Sequence, residues 1–182
     1  MAVNGCIRPE IAVKNLSKAK RSSLQIAYDL VSASGFLFQI LLIVRAWASL
    51  PSNIPVHYGF SGQPDAWGGK TELLELPVVS VLLYLGLTLL ARYPHKLNYP
   101  WTITEGNAER LYRLTKSSVG AVQCLLVWLF TAISWQTIHV AMGQTSGLGR
   151  AFIAAILGIT GITIVVYVLL ARSAGAGVAT QL

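Results

Sequence analysis

The stretch AFIAAILGITGITIVVYVLLA, residues 151–171, contains no charged side chain and is long enough to cross a bilayer as a helix. Three further runs are nearly as apolar, at residues 30–50, 73–91 and 119–140. An open strand in lipid leaves its backbone hydrogen bonds unsatisfied, so each run is predicted to be helical. The four runs together predict an all-α integral membrane protein with four transmembrane helices.

The composition of the whole chain agrees with this class. Of its 182 residues, 54% are apolar and 12% are charged, whereas a soluble domain has about 25% charged residues. The predicted helices divide the chain into a flexible basic tail at 1–22, a membrane domain at 23–172 and a disordered tail at 173–182. A cytoplasmic helix at about 105–117 is predicted to lead into the third membrane helix.

Lysine and arginine are distributed unevenly among the segments outside the apolar runs. One cluster precedes the first run and another lies between the second and third. The clusters are Arg8, Lys14, Lys18, Lys20 and Arg21, and Arg92, Lys96, Arg110, Arg113 and Lys116. The other two connections hold only Lys70 and Arg150. The positive-inside rule therefore predicts cytoplasmic N and C termini and places residues 51–72 on the outer face.

A net charge of +7 is typical of many proteins that bind nucleic acid. The basic residues follow the topology of the predicted helices, and we identify no folded basic surface with base-reading groups. The expected surroundings are therefore a lipid bilayer and not a nucleic acid.

The segment HYGFSGQPDAWGGK, residues 57–70, combines turn residues with side chains that carry chemistry. Its glycines and proline account for a rigid connector without any ligand. They do not account for His57, Asp65 and Lys70 in so short a segment. Recognition of a peptide, a lipid headgroup or a partner helix is the functional interpretation that the residues favour, with Trp67 as an interfacial aromatic.

Two other chemistries remain open for this segment. One is a metal site formed by His57, Asp65 and His139, although zinc sites need three or four ligands and no closely spaced pair is present. The other is acid–base catalysis by His57 with Asp65 as its orienting partner, although no nucleophile motif accompanies them. Proton-coupled transport is disfavoured, because the helix centres hold neutral residues such as Gln39 and Ser134.

The connection between the second and third runs holds a second group of polar and aromatic residues, among them Asn98, Tyr99 and Asn107. They lie beside a predicted helix start, which attracts anions. A headgroup or phosphate site is one interpretation. Interfacial anchoring combined with helix capping is the alternative.

Two motifs carry a resemblance to a known family. The pattern LPxxIPxHY at 50–58, followed by GxPDxWGxK at 62–70, resembles the bacterial membrane family known as domain of unknown function 1648. LNYP at 97–100 and TExNA at 104–108 are similar to a second signature of that family. The resemblance covers about residues 46–116 and implies a multi-spanning helical membrane protein. Some members are SdpI-type immunity proteins, which protect a cell from a secreted peptide toxin and have further helices.

The sequence thus predicts a non-enzymatic, multi-pass membrane protein of a bacterial inner membrane or an internal membrane system. We expect it to act through the outer loop 51–72 as a recognition or accessory component. That component is a small subunit or assembly factor of a membrane complex, or an immunity-like binder of a peptide. The candidate binding residues are His57, Asp65, Trp67, Lys70, Asn98, Tyr99 and Asn107, and no cofactor is expected. The alternative is a membrane-embedded enzyme or metal-binding protein that uses His57, Asp65 and His139.

Overall fold

A computed structural model of the chain describes residues 22–93 and 107–176. It contains four helices long and apolar enough to cross a membrane, which confirms the predicted class. They are α1 (Ser23–Ala46), α2 (Glu75–Ala91), α3 (Ala108–Ala141) and α4 (Arg150–Ala176). A 3₁₀ turn, Lys70–Leu74, leads directly into α2 and extends its span to Lys70–Ala91.

Helix α1 starts earlier than the apolar run at 30–50 indicates, because a capping box fixes its first turn. The Ser22 hydroxyl accepts a hydrogen bond from the Gln25 N–H, and the Gln25 side chain accepts one from the Ser22 N–H. The helix then ends at Ala46, so residues 47–50 form a turn instead of its last residues.

Two other helices extend beyond their apolar runs. Helix α3 is one continuous element from Ala108, so from residue 108 onward the segment before the third run belongs to the same helix. Helix α4 continues to Ala176 and includes residues that the sequence assigned to a disordered tail. The Ser173 hydroxyl donates to the Leu170 carbonyl, which satisfies a polar group near that helix end.

The segment between α1 and α2 folds as a β-hairpin, which the expectation of a connector loop did not include. Strand β1 (Asn53–Tyr58) pairs antiparallel with β2 (Pro64–Gly69). The pairing is irregular around His57, where the register shifts. The hairpin stands at the end of the bundle where α1 and α3 finish, which is called the hairpin end below.

Helices α1 and α3 approach each other closely at two glycines. A Cβ on Gly35 would lie 2.8 Å from Cγ1 of Val127, and a Cβ on Gly120 would lie 2.7 Å from the ring of Tyr28. Both distances are shorter than carbon atoms tolerate, so a larger residue at either position would force the neighbouring side chain to shift. Small residues at such contacts allow two membrane helices to bring their backbones together.

This close approach lets side chains of α3 reach the backbone of α1. The carbonyl groups of three α1 residues accept hydrogen bonds from α3. The pairs are Cys124 Sγ to Tyr28 (3.1 Å), Trp128 Nε1 to Val31 (3.1 Å) and Thr131 Oγ1 to Gly35 (3.2 Å). The buried Gln39 amide adds a fourth contact by donating to the Ser134 hydroxyl at 3.0 Å. Such bonds stabilise helix pairs in lipid by about 0.6 kcal/mol each.

The remaining helices are attached in different ways. Helix α2 is bound by polar contacts, since Gln123 of α3 donates to the Tyr84 carbonyl at 2.9 Å and to the Thr88 hydroxyl at 2.7 Å. The Tyr84 hydroxyl in turn donates to Asp29 of α1 at 2.8 Å. Helix α4 packs on α3, yet none of the residues in its apolar window is buried. Its surface therefore faces the bilayer.

The close α1–α3 contact predicts different effects for two glycine substitutions. Gly35→Ala places a methyl group against Val127 and should lower the free energy of unfolding by about 1–3 kcal/mol. Gly86→Ala is the matched control, because a Cβ there meets nothing within 4 Å. Unfolding of both variants in mixed micelles measures the difference, and equal stability of the two variants would contradict the packing described here.

Candidate functional site

The hairpin is fixed to the bundle by its first strand. Ile54 is 1% exposed and packs in an apolar cluster with Ile43 and Leu50 of the α1 end, Leu73 of the 3₁₀ turn and Ile138 of α3. This cluster joins four segments of the chain at the hairpin end. The hairpin is therefore held as part of the folded bundle.

Tyr58 supplies a polar attachment next to this cluster. Its hydroxyl donates to the Thr137 hydroxyl of α3 at 3.1 Å. Burial raises the pKa of Tyr58 above its ordinary value, and the hydrogen bond with Thr137 opposes this effect only in part. The phenol therefore stays protonated and remains a hydrogen-bond donor at neutral pH.

The hairpin tip also contacts the connection between α3 and α4. Gly62, with φ +77°, turns its carbonyl toward that connection and accepts a hydrogen bond from the Leu148 N–H at 2.7 Å. Gly147 lies so close to the Gly62 carbonyl that a Cβ would collide with it. The tip is thus attached to the backbone that leads into α4.

The structure brings together two members of the predicted trio. Nδ1 of His57 lies 2.5 Å from Oδ1 of Asp65, and the contact joins β1 to β2. Their side chains are 69% and 51% exposed, so the pair stands in water or at the headgroup level. A carboxylate in this position orients the imidazole ring.

Lys70, the third member of the trio, points elsewhere. Its ammonium group lies 5.2 Å from the ring centroid of Trp47 and donates to the Trp47 carbonyl at 3.5 Å. This cation–π contact fixes the residue that follows α1. Lys70 therefore belongs to the support of the hairpin, and the structure does not place it with His57 and Asp65.

Apolar side chains are exposed on the same hairpin. Trp67, which the sequence singled out, is 52% exposed, and Val56 is 39% exposed. Phe60 at the tip is fully exposed, and it is not among the candidate residues predicted from the sequence. Its position between a glycine and a serine in a turn could have indicated an exposed phenylalanine. The term hairpin surface is used below for Val56, His57, Phe60, Asp65 and Trp67.

His139 does not join the metal set that the sequence left open. Its Nδ1 contacts the Trp135 carbonyl at 2.8 Å, and its ring stacks on Trp135 with centroids 4.6 Å apart. Within residues 22–93 and 107–176, no three His, Cys, Asp or Glu side chains form a group that could hold a metal ion. The structure therefore does not bring His57, Asp65 and His139 together as a set of metal ligands, and only His57 and Asp65 are in contact.

The second predicted polar group is only partly described. Asn98 and Tyr99 lie outside the described residues. Asn107 is 4% exposed and precedes α3, where its carbonyl accepts the Leu111 N–H at 2.9 Å. The buried position of Asn107 agrees with a role in starting the helix.

Comparison with known proteins identifies the segment that contains the hairpin. Residues 35–81 match the family described as a domain of unknown function, DUF1648. An uncharacterized protein of Archaeoglobus fulgidus is 36% identical over 62 residues, which are 30% of this chain and 34% of that relative. The chain thus spans about a third of the relative it matches. No solved structure matches significantly.

The DUF1648 match confirms the resemblance carried by the hairpin motifs. The DUF1648 segment runs from Gly35, where α1 contacts α3, through the hairpin and into α2. One motif glycine lies directly against Glu72. A Cβ on Gly68 would displace the Glu72 carboxylate, which accepts the Gly69 N–H at 2.9 Å. This contact fixes the start of the 3₁₀ turn.

The hydrogen bond of Tyr58 to Thr137 and the exposed pair of His57 and Asp65 predict different effects on the stability of the hairpin. Tyr58→Phe removes a half-buried hydrogen bond and should lower the local stability of the hairpin by about 1 kcal/mol. Asp65→Asn changes an exposed pair and should alter stability by less than about 0.5 kcal/mol. Hydrogen exchange of the Leu148 amide reports both effects. Faster exchange in Asp65→Asn than in Tyr58→Phe would show that the exposed pair holds the hairpin.

Proposed function

We propose that this protein is a non-enzymatic recognition or accessory component of a membrane, and that the hairpin surface is its contact site. One observation carries the proposal. Exposed apolar side chains, Phe60 and Trp67 among them, stand on a hairpin that the bundle holds at its first strand and at its tip. Contiguous exposed apolar surface marks sites of contact with proteins or membranes.

The rigidity of the hairpin supports this role. A surface that is already ordered loses less conformational entropy on binding than a flexible loop does. A few residues, often tryptophan, tyrosine or arginine, supply most of the binding energy at many interfaces. We therefore expect Trp67 to contribute most to binding. His57 and Asp65 add a polar, oriented pair at the same place. The arrangement suits a peptide or a segment of another membrane protein.

Two kinds of partner fit this surface. A small subunit or assembly factor would hold a neighbouring membrane protein through it. A peptide binder would resemble the SdpI-type immunity proteins to which the hairpin motifs are similar. The contact between His57 and Asp65 also favours a second candidate, acid–base catalysis with His57 as the base and Asp65 as its orienting partner.

We also propose that the hairpin lies on the outer face and that both termini are cytoplasmic. The distribution of lysine and arginine supports this orientation. It gives the hairpin surface access to partners from outside the cell or from the lumen of an internal compartment.

The orientation is tested by labelling single cysteines with a membrane-impermeant maleimide. Both native cysteines are first replaced by serine. Gln63→Cys at the hairpin tip should react in intact cells, because that side chain is exposed at the outer face. Arg92→Cys at the end of α2 should react only after permeabilisation. The reverse pattern would place the hairpin in the cytoplasm and overturn the proposed orientation.

The recognition role is tested by photo-crosslinking in native membranes. A photoreactive amino acid at position 60 or 67 should give a discrete peptide or protein adduct. The same amino acid at Leu157, which is 68% exposed on the lipid-facing α4, is the control and should capture lipid. If the hairpin positions capture only lipid, the recognition proposal fails. A substrate turnover lost in Asp65→Asn but kept in Trp67→Ala would establish the catalytic candidate instead.

A further inference from the structure

A pocket of about 240 Å³ lies at the hairpin end between α1 and α3. None of the residues of the hairpin surface lines it. Its polar walls are Arg45, His139 and Gln144, and Leu42 and Met142 supply apolar wall. The pocket therefore offers a positively charged side and an apolar side to one ligand.

The end of α3 builds one wall of this pocket. Gly143, with φ +71°, stops the helix in a left-handed conformation that glycine adopts without strain. The Gly143 N–H then donates to the Val140 carbonyl at 3.0 Å, and the Gln144 N–H donates to the His139 carbonyl at 2.9 Å. This pair of bonds is a Schellman motif, and it brings Gln144 back beside His139.

Arg45 supplies the charge of the pocket. Its side chain is exposed in the last turn of α1, and within the described part of the chain it forms no ion pair or hydrogen bond. The His139 ring, in contrast, is fixed, because a carbonyl only accepts and Nδ1 must therefore donate to Trp135. The favourable interaction of a cation with a helix C-terminus explains Arg45 in the last turn of α1. It does not explain why Arg45 and His139 line one pocket.

We propose that this pocket binds the phosphate of an anionic membrane lipid, with Arg45 as its main contact. A guanidinium forms paired hydrogen bonds with phosphate oxygens, and Gln144 can donate a further one. The apolar wall at Leu42 and Met142 suits the glycerol and first methylene groups of a lipid. Val44, next to Arg45, is 67% exposed on α1, a helix long and apolar enough to cross a membrane, so the surface beside the pocket suits contact with lipid.

The test measures lipid binding to the purified protein by native mass spectrometry. Phosphatidylglycerol should bind the unmodified protein more tightly than phosphatidylcholine does. Arg45→Gln should weaken phosphatidylglycerol binding about tenfold, the effect of losing one charged hydrogen-bond pair. Arg150→Gln is the matched control, because it removes the same charge from an exposed position outside the pocket. It should leave the affinity within about twofold.

A second variant keeps the proposal testable if Arg45→Gln does not fold. Gln144→Trp fills the pocket from an exposed position and changes no charge, so it should weaken phosphatidylglycerol binding to a similar extent. Equal losses of phosphatidylglycerol affinity in Arg45→Gln and Arg150→Gln would show a general attraction to the charged surface and overturn the site. An unchanged phosphatidylglycerol affinity of Gln144→Trp would also overturn it. Displacement of the lipid by millimolar inorganic phosphate would make the site one for free anions and overturn the lipid assignment.

Discussion

Helices α1 and α3 lie so close at Gly35 and Gly120 that side chains of one helix bond to the backbone of the other. In lipid, apolar burial does not drive two helices together, so packing and interhelical hydrogen bonds must do so. The α1–α3 contact combines both. It also sets the distance between the ends of these helices, where the hairpin is attached and where the pocket at Arg45 is formed.

The class of fold could be predicted from the sequence because lipid imposes a simple rule on composition. Long apolar segments without charges must be helical in a bilayer, whatever their neighbours are. The ends of the helices depend on local capping chemistry. The capping box at Ser22 and Gln25 places the start of α1 ahead of its apolar run.

The candidate site could be predicted only in part, because the sequence shows which side chains are near in the chain but not where they point. His57 and Asp65 meet because β1 and β2 pair, and the paired strands were not expected. Lys70 instead contacts Trp47, which is far away in sequence. Only the tertiary structure could therefore show that Lys70 does not belong to the hairpin surface. His139 bonds within its own helix, which separates it from the pair.

The hydrogen bond from Leu148 to the Gly62 carbonyl joins the hairpin tip to the connection that begins α4. Helix α4 has no buried residue in its apolar window, so burial of its own side chains does little to fix its position. The backbone bond at Leu148 instead attaches the start of α4 to the hairpin tip. The hairpin thus supports the last helix of the bundle as well as the ends of α1 and α3.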